Sequence, residues 1–273
     1  MTVEVQDPEV VTMVAAAGAQ LLLLSGVVLI AAALPGVAAS QTKEAPAEQG
    51  QAQDDGVTIR WWGHACFSIT DREGTCVMTD PFPEGYGYPR PGAEPQVCLI
   101  THEHRDHNGI ENVLGHPIAL RGTGMHETAG LRFKGVATYH DAQQGAARGP
   151  NTVFVWQMGG LRIAHLGDLG HVLTEEQMEA LGRVDVLMVP VGGFYTIDAP
   201  QAVQVIRRLE ARIVLPMHYK TPAIPKSPVA SIDALLAAVP PTWKVEKPAA
   251  AAFQVHPSDL PGETVRVVVL KYE

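Results

Sequence analysis

The feature that most constrains this chain is a run of metal-ligand side chains, His102-Glu-His-Arg-Asp-His107, directly after the apolar residues 97–101. The apolar residues predict a short buried strand. Because side chains alternate along an extended segment, His102 and His104 should point the same way and could hold one cation together. Imidazole nitrogens and carboxylate oxygens are ordinary zinc ligands, so the run predicts a metal site.

Three further residues of ligand type stand at the ends of predicted strands: His140, Asp168 and His218. Taken alone, each is also compatible with an ordinary polar residue at a strand end. Each nevertheless has the same context as the first run, an apolar segment followed at once by an imidazole or a carboxylate. Together they predict that strand ends bring enough ligands to one place for a pair of metal ions.

The pattern of short apolar runs and turns predicts two packed β-sheets with helices outside. Strands are expected at residues 57–62, 65–70, 75–79, 97–101, 117–120, 131–139, 152–157, 162–166, 184–189, 212–216 and 264–270. Residues 71–74 predict a hairpin turn between the second and third strands. Helices are expected to begin after Thr174, which forms a capping box with Gln177, and after Asp198. Further helices are expected over residues 108–114 and 231–238.

The first 56 residues differ in composition from the rest of the chain. Residues 10–42 contain no charged side chain, which is typical of a signal peptide or a transmembrane segment. Small residues at positions 37–40 suit cleavage, whereas the acids before the apolar run are atypical of a signal peptide. We expect residues 1–39 to be a signal peptide or a membrane anchor acting through residues 10–39. An exported protein, periplasmic or extracellular, or a membrane-anchored one would result.

Residues 40–56 lack apolar periodicity and predict a flexible linker, so the folded domain should comprise residues 57–273. The net charge of the chain is −9, and no run rich in lysine or arginine occurs. We therefore expect no nucleic-acid partner. Cys66, Cys76 and Cys98 form no Cys-x-x-Cys pair and should be buried apolar residues.

The order of the ligand residues resembles that of the metallo-β-lactamase superfamily: His-x-His-x-Asp-His, a lone His, Gly-Asp and a late His. Shorter phrases, such as Trp62-Gly-His-Ala-Cys-Phe67 and Leu215-Pro-Met-His-Tyr219, are similar to its L-ascorbate-6-phosphate lactonase-like branch of zinc-dependent hydrolases. Phospholipase-D-like members share several of them, so the branch does not fix the substrate. The resemblance implies an α/β fold, the four-layer αββα sandwich, with its metals at one edge of the sheets.

The resemblance also implies a ligand set. His102, His104 and His140 would hold one zinc ion, Asp106, His107 and His218 the other, and Asp168 would bridge the two. A hydroxide between the ions would attack an ester, a lactone or a phosphoester. Asp106 would orient that hydroxide and shuttle its proton.

Three other residues are candidates for the site. His64 would contact the substrate or supply a proton, or else be a structural histidine bonded to the backbone. Tyr195, in a glycine-rich loop, would line the pocket, and Asp80 would orient a metal-bound histidine. We expect a small-molecule or lipid-like substrate, with residues 82–95 and 142–150 as pocket walls. The alternatives are a mononuclear iron oxidoreductase resembling persulfide dioxygenases, on the same fold, and a metal-binding module without activity.

Overall fold

The computed structural model describes residues 56–272, in which fourteen strands form two β-sheets. The strands of the first sheet are β1 Val57–Gly63, β2 Cys66–Asp71, β3 Cys76–Thr79, β4 Val97–Ile100, β5 Ile118–Arg121 and β13 Ala252–Val255. Those of the second are β6 Gly124–Thr128, β7 Leu131–Tyr139, β8 Pro150–Met158, β9 Leu161–His165, β10 Val186–Pro190, β11 Ile213–Met217, β12 Lys244–Glu246 and β14 Arg266–Val268. The predicted strands are confirmed within a few residues, and β6, β12 and β13 are additions.

The order of strands is β13-β1-β2-β3-β4-β5 in the first sheet and β12-β14-β11-β10-β9-β8-β7-β6 in the second. The predicted hairpin between β2 and β3 is confirmed, with Thr75 N donating to the Asp71 carboxylate across the turn. In the second sheet β9, β10 and β11 are parallel, and β7 runs in the same direction because two antiparallel pairings separate it from β9. The loops that follow these four strands therefore leave the sheet at one edge.

Three α-helices, α1 Glu175–Leu181, α2 Ala199–Arg208 and α3 Ile232–Ala238, occur in the described residues. The capping box at Thr174 is confirmed, and the helix start at Asp198 has a capping box as well. Helix α1 packs against β7 and α2 against β10, so the helices cover the second sheet.

The predicted helix over residues 108–114 is wrong, because that segment forms only the short 3-10 helix Ile110–Asn112. Two hydrogen-bond donors of this segment bond to the loop at residues 81–82 instead of to a helix. Gly109 N donates to the Pro81 carbonyl at 2.6 Å, and the Asn112 side chain donates to the Phe82 carbonyl at 3.0 Å. Glycine also favours the helical state poorly.

Two apolar clusters hold the sheets in place. The larger one fills the space between the sheets, where Trp61 and Phe67 belong to the same cluster as Phe154 and Trp156. Alternate residues of the first sheet form the second cluster, which is completed by Phe82, Tyr88 and Val113 from the loops. The predicted fold class of two packed sheets with helices is confirmed, although loops and the 3-10 helix provide the cover on the first sheet. The three cysteines are buried as predicted.

The predictions for residues 1–39, and for all of the linker except Gly56, lie outside the described residues. Within residues 56–272 the structure contains no helix that is both long enough and apolar enough to cross a membrane.

Candidate metal centre

The ligand-type residues lie just beyond strand ends of both sheets. His102 follows β4, His140 follows β7, Asp168 follows β9 and His218 follows β11. Two backbone hydrogen bonds join the two sheets here: Thr152 N donates to the Thr101 carbonyl at 2.8 Å, and His218 N donates to the His64 carbonyl at 3.2 Å. Loops far apart in sequence therefore meet at one edge.

The first group of converging side chains is His102, His104 and His140. One ring nitrogen from each lies within 4.8 Å of the others, a spacing at which one ion could contact all three. His102 and His140 are buried, whereas His104 is exposed and borders solvent. Burial lowers the pKa of His102 to about 3, so this imidazole is neutral at neutral pH, as a metal ligand must be.

The second group is Asp106, His107 and His218, together with His64, again with ligand atoms within 4.8 Å of one another. His64 Nε2 lies 3.1 Å from His107 Nε2 and 3.3 Å from an Asp106 oxygen. Its Nδ1 has no hydrogen-bond partner among residues 56–272, so the ring is not bonded to their backbone. The geometry therefore places His64 with the candidate ligands rather than in a purely structural role.

Asp168 lies between the two groups. One of its oxygens is 3.1 Å from His140 Nε2, 3.2 Å from His107 Nε2 and 3.2 Å from His218 Nε2. Burial opposes its charge, but the histidines around it outweigh burial and hold the pKa of the carboxyl well below its ordinary value. Asp168 is thus an ionised carboxylate in contact with imidazoles of both groups.

The chemistry of the buried atoms fits metal ions. His102 Nε2 and Asp168 Oδ1 are buried and have no hydrogen-bond partner in the structure. A buried polar atom without a partner costs about 1–3 kcal/mol, so such atoms call for a ligand. Imidazole and carboxylate are ligands that zinc and iron both accept. The residues present therefore suit a metal pair, without fixing which metal it is.

Asp80 supports His107 from behind, as predicted. Its Oδ2 lies 2.9 Å from His107 Nδ1, and its carboxylate also accepts hydrogen bonds from the Thr101 N–H at 2.8 Å and hydroxyl at 2.6 Å. Burial opposes its charge, yet the contacts with His107 lower the pKa of Asp80. Because both oxygens already have partners, Asp80 orients His107 and leaves Nε2 free for a metal.

The structure adds Tyr86 to the site, a residue that the sequence did not single out. The Tyr86 hydroxyl donates to Asp106 Oδ2 at 3.2 Å and lies 3.4 Å from His64 Nε2. Burial and the Asp106 carboxylate raise the pKa of Tyr86, so the phenol stays protonated. Its only sequence signal is its position in the proline- and glycine-rich loop that was expected to form a pocket wall.

Tyr195 occupies a different part of the site. Its half-buried ring packs edge-on against Phe194, and the Arg148 guanidinium lies 4.6 Å from the ring centre. Arg148 in turn lines a cavity of about 380 Å³ together with His102 and His104. Tyr195 is therefore connected to the metal groups through Arg148.

Two glycines allow the ligand loops to pack closely. A Cβ at Gly170 would collide with the backbone of His140 and Asp141, and one at Gly192 would collide with the His218 carbonyl. Each glycine thus supports the backbone of a candidate ligand. Close approach of two backbones is what requires glycine at these positions.

Comparisons with known proteins agree with this geometry. A family model described as the beta-lactamase superfamily domain matches residues 58–218. A UPF0173 metal-dependent hydrolase of Thermoplasma volcanium is 31% identical over 67% of this chain and 92% of its own length. Another, of Methanoculleus marisnigri, is 33% identical over 61% of this chain and 83% of its own.

A solved structure from Thermotoga maritima, described as a zinc-dependent hydrolase of the metallo-β-lactamase superfamily, is also similar. It is 35% identical with a TM-score of 0.65, over 78% of this chain and 98% of its own. Every candidate ligand falls within residues 58–218, which the family model matches. The chain therefore belongs to the metallo-β-lactamase superfamily and is a metal-dependent hydrolase.

Proposed function

We propose that the chain is a binuclear zinc hydrolase acting on an ester, a lactone or a phosphoester. The observation that carries the proposal is the position of Asp168, whose oxygen lies 3.1 Å from His140 and 3.2 Å from His107 and His218. A carboxylate within reach of both groups suits a ligand shared by two ions. The zinc named for the Thermotoga maritima structure supports the choice of metal.

The proposed ligands follow the two groups. His102, His104 and His140 would hold one zinc, Asp106, His107 and His218 would hold the other, and Asp168 would be shared between them. A ring nitrogen of His64 lies within 4.8 Å of ligand atoms of Asp106, His107 and His218, so His64 would be either an additional ligand of the second ion or a proton donor beside it.

Two bound zinc ions would supply a water that loses its proton near neutral pH and would polarise the oxygen of the scissile group. Asp106 would orient the attacking water and accept its proton, because it is half-buried and therefore within reach of solvent. Burial opposes its charge, but the contacts with His64 and His107 lower the pKa of its carboxyl and keep it ionised. The Tyr86 hydroxyl fixes the Asp106 carboxylate from the other side. His64 contacts both Asp106 and Tyr86, so it would return a proton to the leaving group if it is not itself a ligand.

The substrate is proposed to be a small molecule or a lipid-like one. Phe194, next to Tyr195, is 66% exposed and has a φ of +61°, which places a bulky apolar ring at the surface in a strained conformation. Such a ring suits an apolar substrate group. A nucleic acid is disfavoured by the net charge of −9. The lactonase-like branch remains our proposal on the phrases in the sequence.

We also propose that residues 1–39 direct export or anchor the protein in a membrane through residues 10–39. The uncharged stretch of residues 10–42 supports this. Expression of the full chain in a bacterium, followed by fractionation and determination of the mature N-terminus, tests it. A full-length chain in the cytoplasm would contradict it.

The zinc proposal predicts close to two zinc equivalents per chain, because seven ligands exceed what one tetrahedral ion can use. Metal content should be measured on protein purified without added metal, and again after reconstitution with zinc or iron. Hydrolysis of lactones, phosphodiesters and lipid headgroups by the zinc form is the expected activity. About one iron per chain with oxidation of a thiol or persulfide would instead establish the oxidoreductase.

A further inference from the structure

The loop that follows β7 is built around one carboxylate. Asp141 Oδ1 accepts hydrogen bonds from Gln143 N at 2.7 Å and Gly145 N at 2.9 Å, and Oδ2 accepts from Ala147 N at 3.0 Å and Arg148 N at 2.7 Å. Asp141 directly follows the candidate ligand His140. The backbone of Arg148 is therefore held at a fixed place relative to the metal site, although it lies on a surface loop.

The side chain of Arg148 is also held in place. Its guanidinium lies over the Tyr195 ring, 4.6 Å from the ring centre, and the Tyr195 ring contacts Phe194 edge-on. An arginine over an aromatic ring is attracted by the ring face and does not use its N–H groups for hydrogen bonds there. Among residues 56–272, the Arg148 guanidinium is thus placed over Tyr195 and forms no hydrogen bond through its donors.

Arg148 differs in this respect from Arg121, the other arginine of the same cavity. Arg121 donates to the Glu103 carboxylate at 3.1 Å and to the Asn108 side chain at 2.7 Å, so its charge is already paired. Arg148 forms no ion pair with any described carboxylate. The cavity of about 380 Å³ that it lines also contains His102 and His104 of the first metal group.

We propose that Arg148, stacked on Tyr195, is an oxyanion-binding subsite beside the metal pair, and that the substrate carries a carboxylate or a phosphate in addition to its scissile bond. This inference rests on the proposed hydrolase function and names the class of its substrate. An arginine edge matches the two oxygens of such a group with parallel hydrogen bonds. Because Arg148 has no ion pair with a described carboxylate, its positive charge beside the cavity would also attract an anion.

Dicarboxylates can test the subsite without turnover. Succinate, glutarate and adipate offer one carboxylate to the metals and a second at increasing distance, whereas butyrate, pentanoate and hexanoate lack the second. Calorimetric titration of the zinc-loaded protein should give at least one dicarboxylate that binds about tenfold or more tightly than the matching monocarboxylate. Replacing the distal carboxylate by a phosphonate shows which of the two anions the subsite prefers.

Arg148→Met should abolish this advantage, while Arg148→Lys should keep part of it, since the charge remains but the planar edge is lost. Arg132→Met is the matched control. Arg132 is an exposed arginine near the start of β7, at the opposite end of that strand from His140, where it pairs with Glu127 at 3.1 Å. The control should keep the advantage within about twofold. Zinc content should be two per chain in every variant.

A kinetic arm separates the subsite from the hydrolase function. Mono-4-nitrophenyl esters of the same dicarboxylic acids should be hydrolysed with a higher kcat/KM than their neutral methyl-ester analogues, and Arg148→Met should remove the preference. If no ester is hydrolysed but the Arg148-dependent binding advantage is present, the subsite stands and the reaction class is wrong. If no chain length shows an advantage, or if Arg148→Met leaves it intact, the assignment of Arg148 is wrong.

Discussion

Asp168 contacts imidazoles of both groups, and its substitution should therefore affect both ions. Asp168→Asn removes the negative charge that offsets two cations, so we expect the zinc content to fall at both positions and turnover to be lost.

Asp80→Asn is the comparison, because Asp80 touches His107 on the side away from the other ligands. It should cost about 10–100-fold in activity or affinity while both zinc ions remain. Zinc content measured on protein grown in zinc-limited medium distinguishes these outcomes. Two fully occupied ions in Asp168→Asn would show that it does not bridge.

His140 and His218 belong to different groups, so each substitution should remove one ion. We expect His140→Ala and His218→Ala each to bind about one zinc, to lose turnover and to remain folded, since both residues lie just after a strand end rather than within a strand. His116→Ala, at an exposed position outside both groups, is the control and should behave as the wild type. Zinc analysis with circular dichroism measures both properties, and full activity in either variant would exclude that residue as a ligand.

The candidate ligands were predictable from the sequence, whereas their neighbours were not. A histidine or an aspartate directly after an apolar run is visible in the sequence, and the structure brings all seven predicted residues together. Tyr86 and Arg148 lie in loops without periodicity. Their positions depend on contacts with residues far away in sequence, Asp106 for Tyr86 and Tyr195 for Arg148. Such contacts leave no spacing signal.

At the scale of elements, local signals were reliable where capping chemistry decides the conformation. The helix start at Thr174 was predicted because the cap and its partner Gln177 lie within one turn. The start at Asp198 was predicted from the proline in the first turn, and the structure shows a capping box there as well. The helix over residues 108–114 failed because Gly109 and Asn112 bond to the loop at residues 81–82 instead. A tertiary hydrogen bond overrode the local pattern there.

The loop after Asp168 depends on a close approach between backbones, which makes Gly170 sensitive to substitution. Gly170→Ala would force the backbone of His140 and Asp141 to move, since no flexible side chain is available to yield. We expect a loss of about 1–3 kcal/mol in the free energy of unfolding and a lower zinc content. Gly262→Ala is the control, because nothing lies near its added methyl group. Urea denaturation and zinc analysis of both variants measure the difference, and an unchanged Gly170→Ala protein would refute the argument.

For the whole molecule, the two packed sheets followed from the order of strands and helices along the chain. The strands that were missed are β6, β12 and β13, and they have one property in common. Each is an edge strand of its sheet. Two of them are also short: β12 contains three residues and β13 contains four. Short edge strands bury few side chains, so they lack the apolar alternation by which a strand is recognised.

The metal site should need only the part of the chain from Gly56 onward. A shortened chain that begins at Gly56 contains the whole of β1, which starts at Val57. It also contains all seven candidate ligands, which lie between positions 102 and 218. Gly56 should be kept, because its carbonyl packs closely against Gly159. We expect the shortened chain to fold, to bind two zinc ions and to hydrolyse soluble substrates with a kcat/KM within about twofold of that of the full chain, since residues 1–55 contribute none of these groups. Thermal denaturation, zinc analysis and kinetics on both chains test this. A shortened chain that aggregates or loses zinc would show that residues before Gly56 belong to the folded domain.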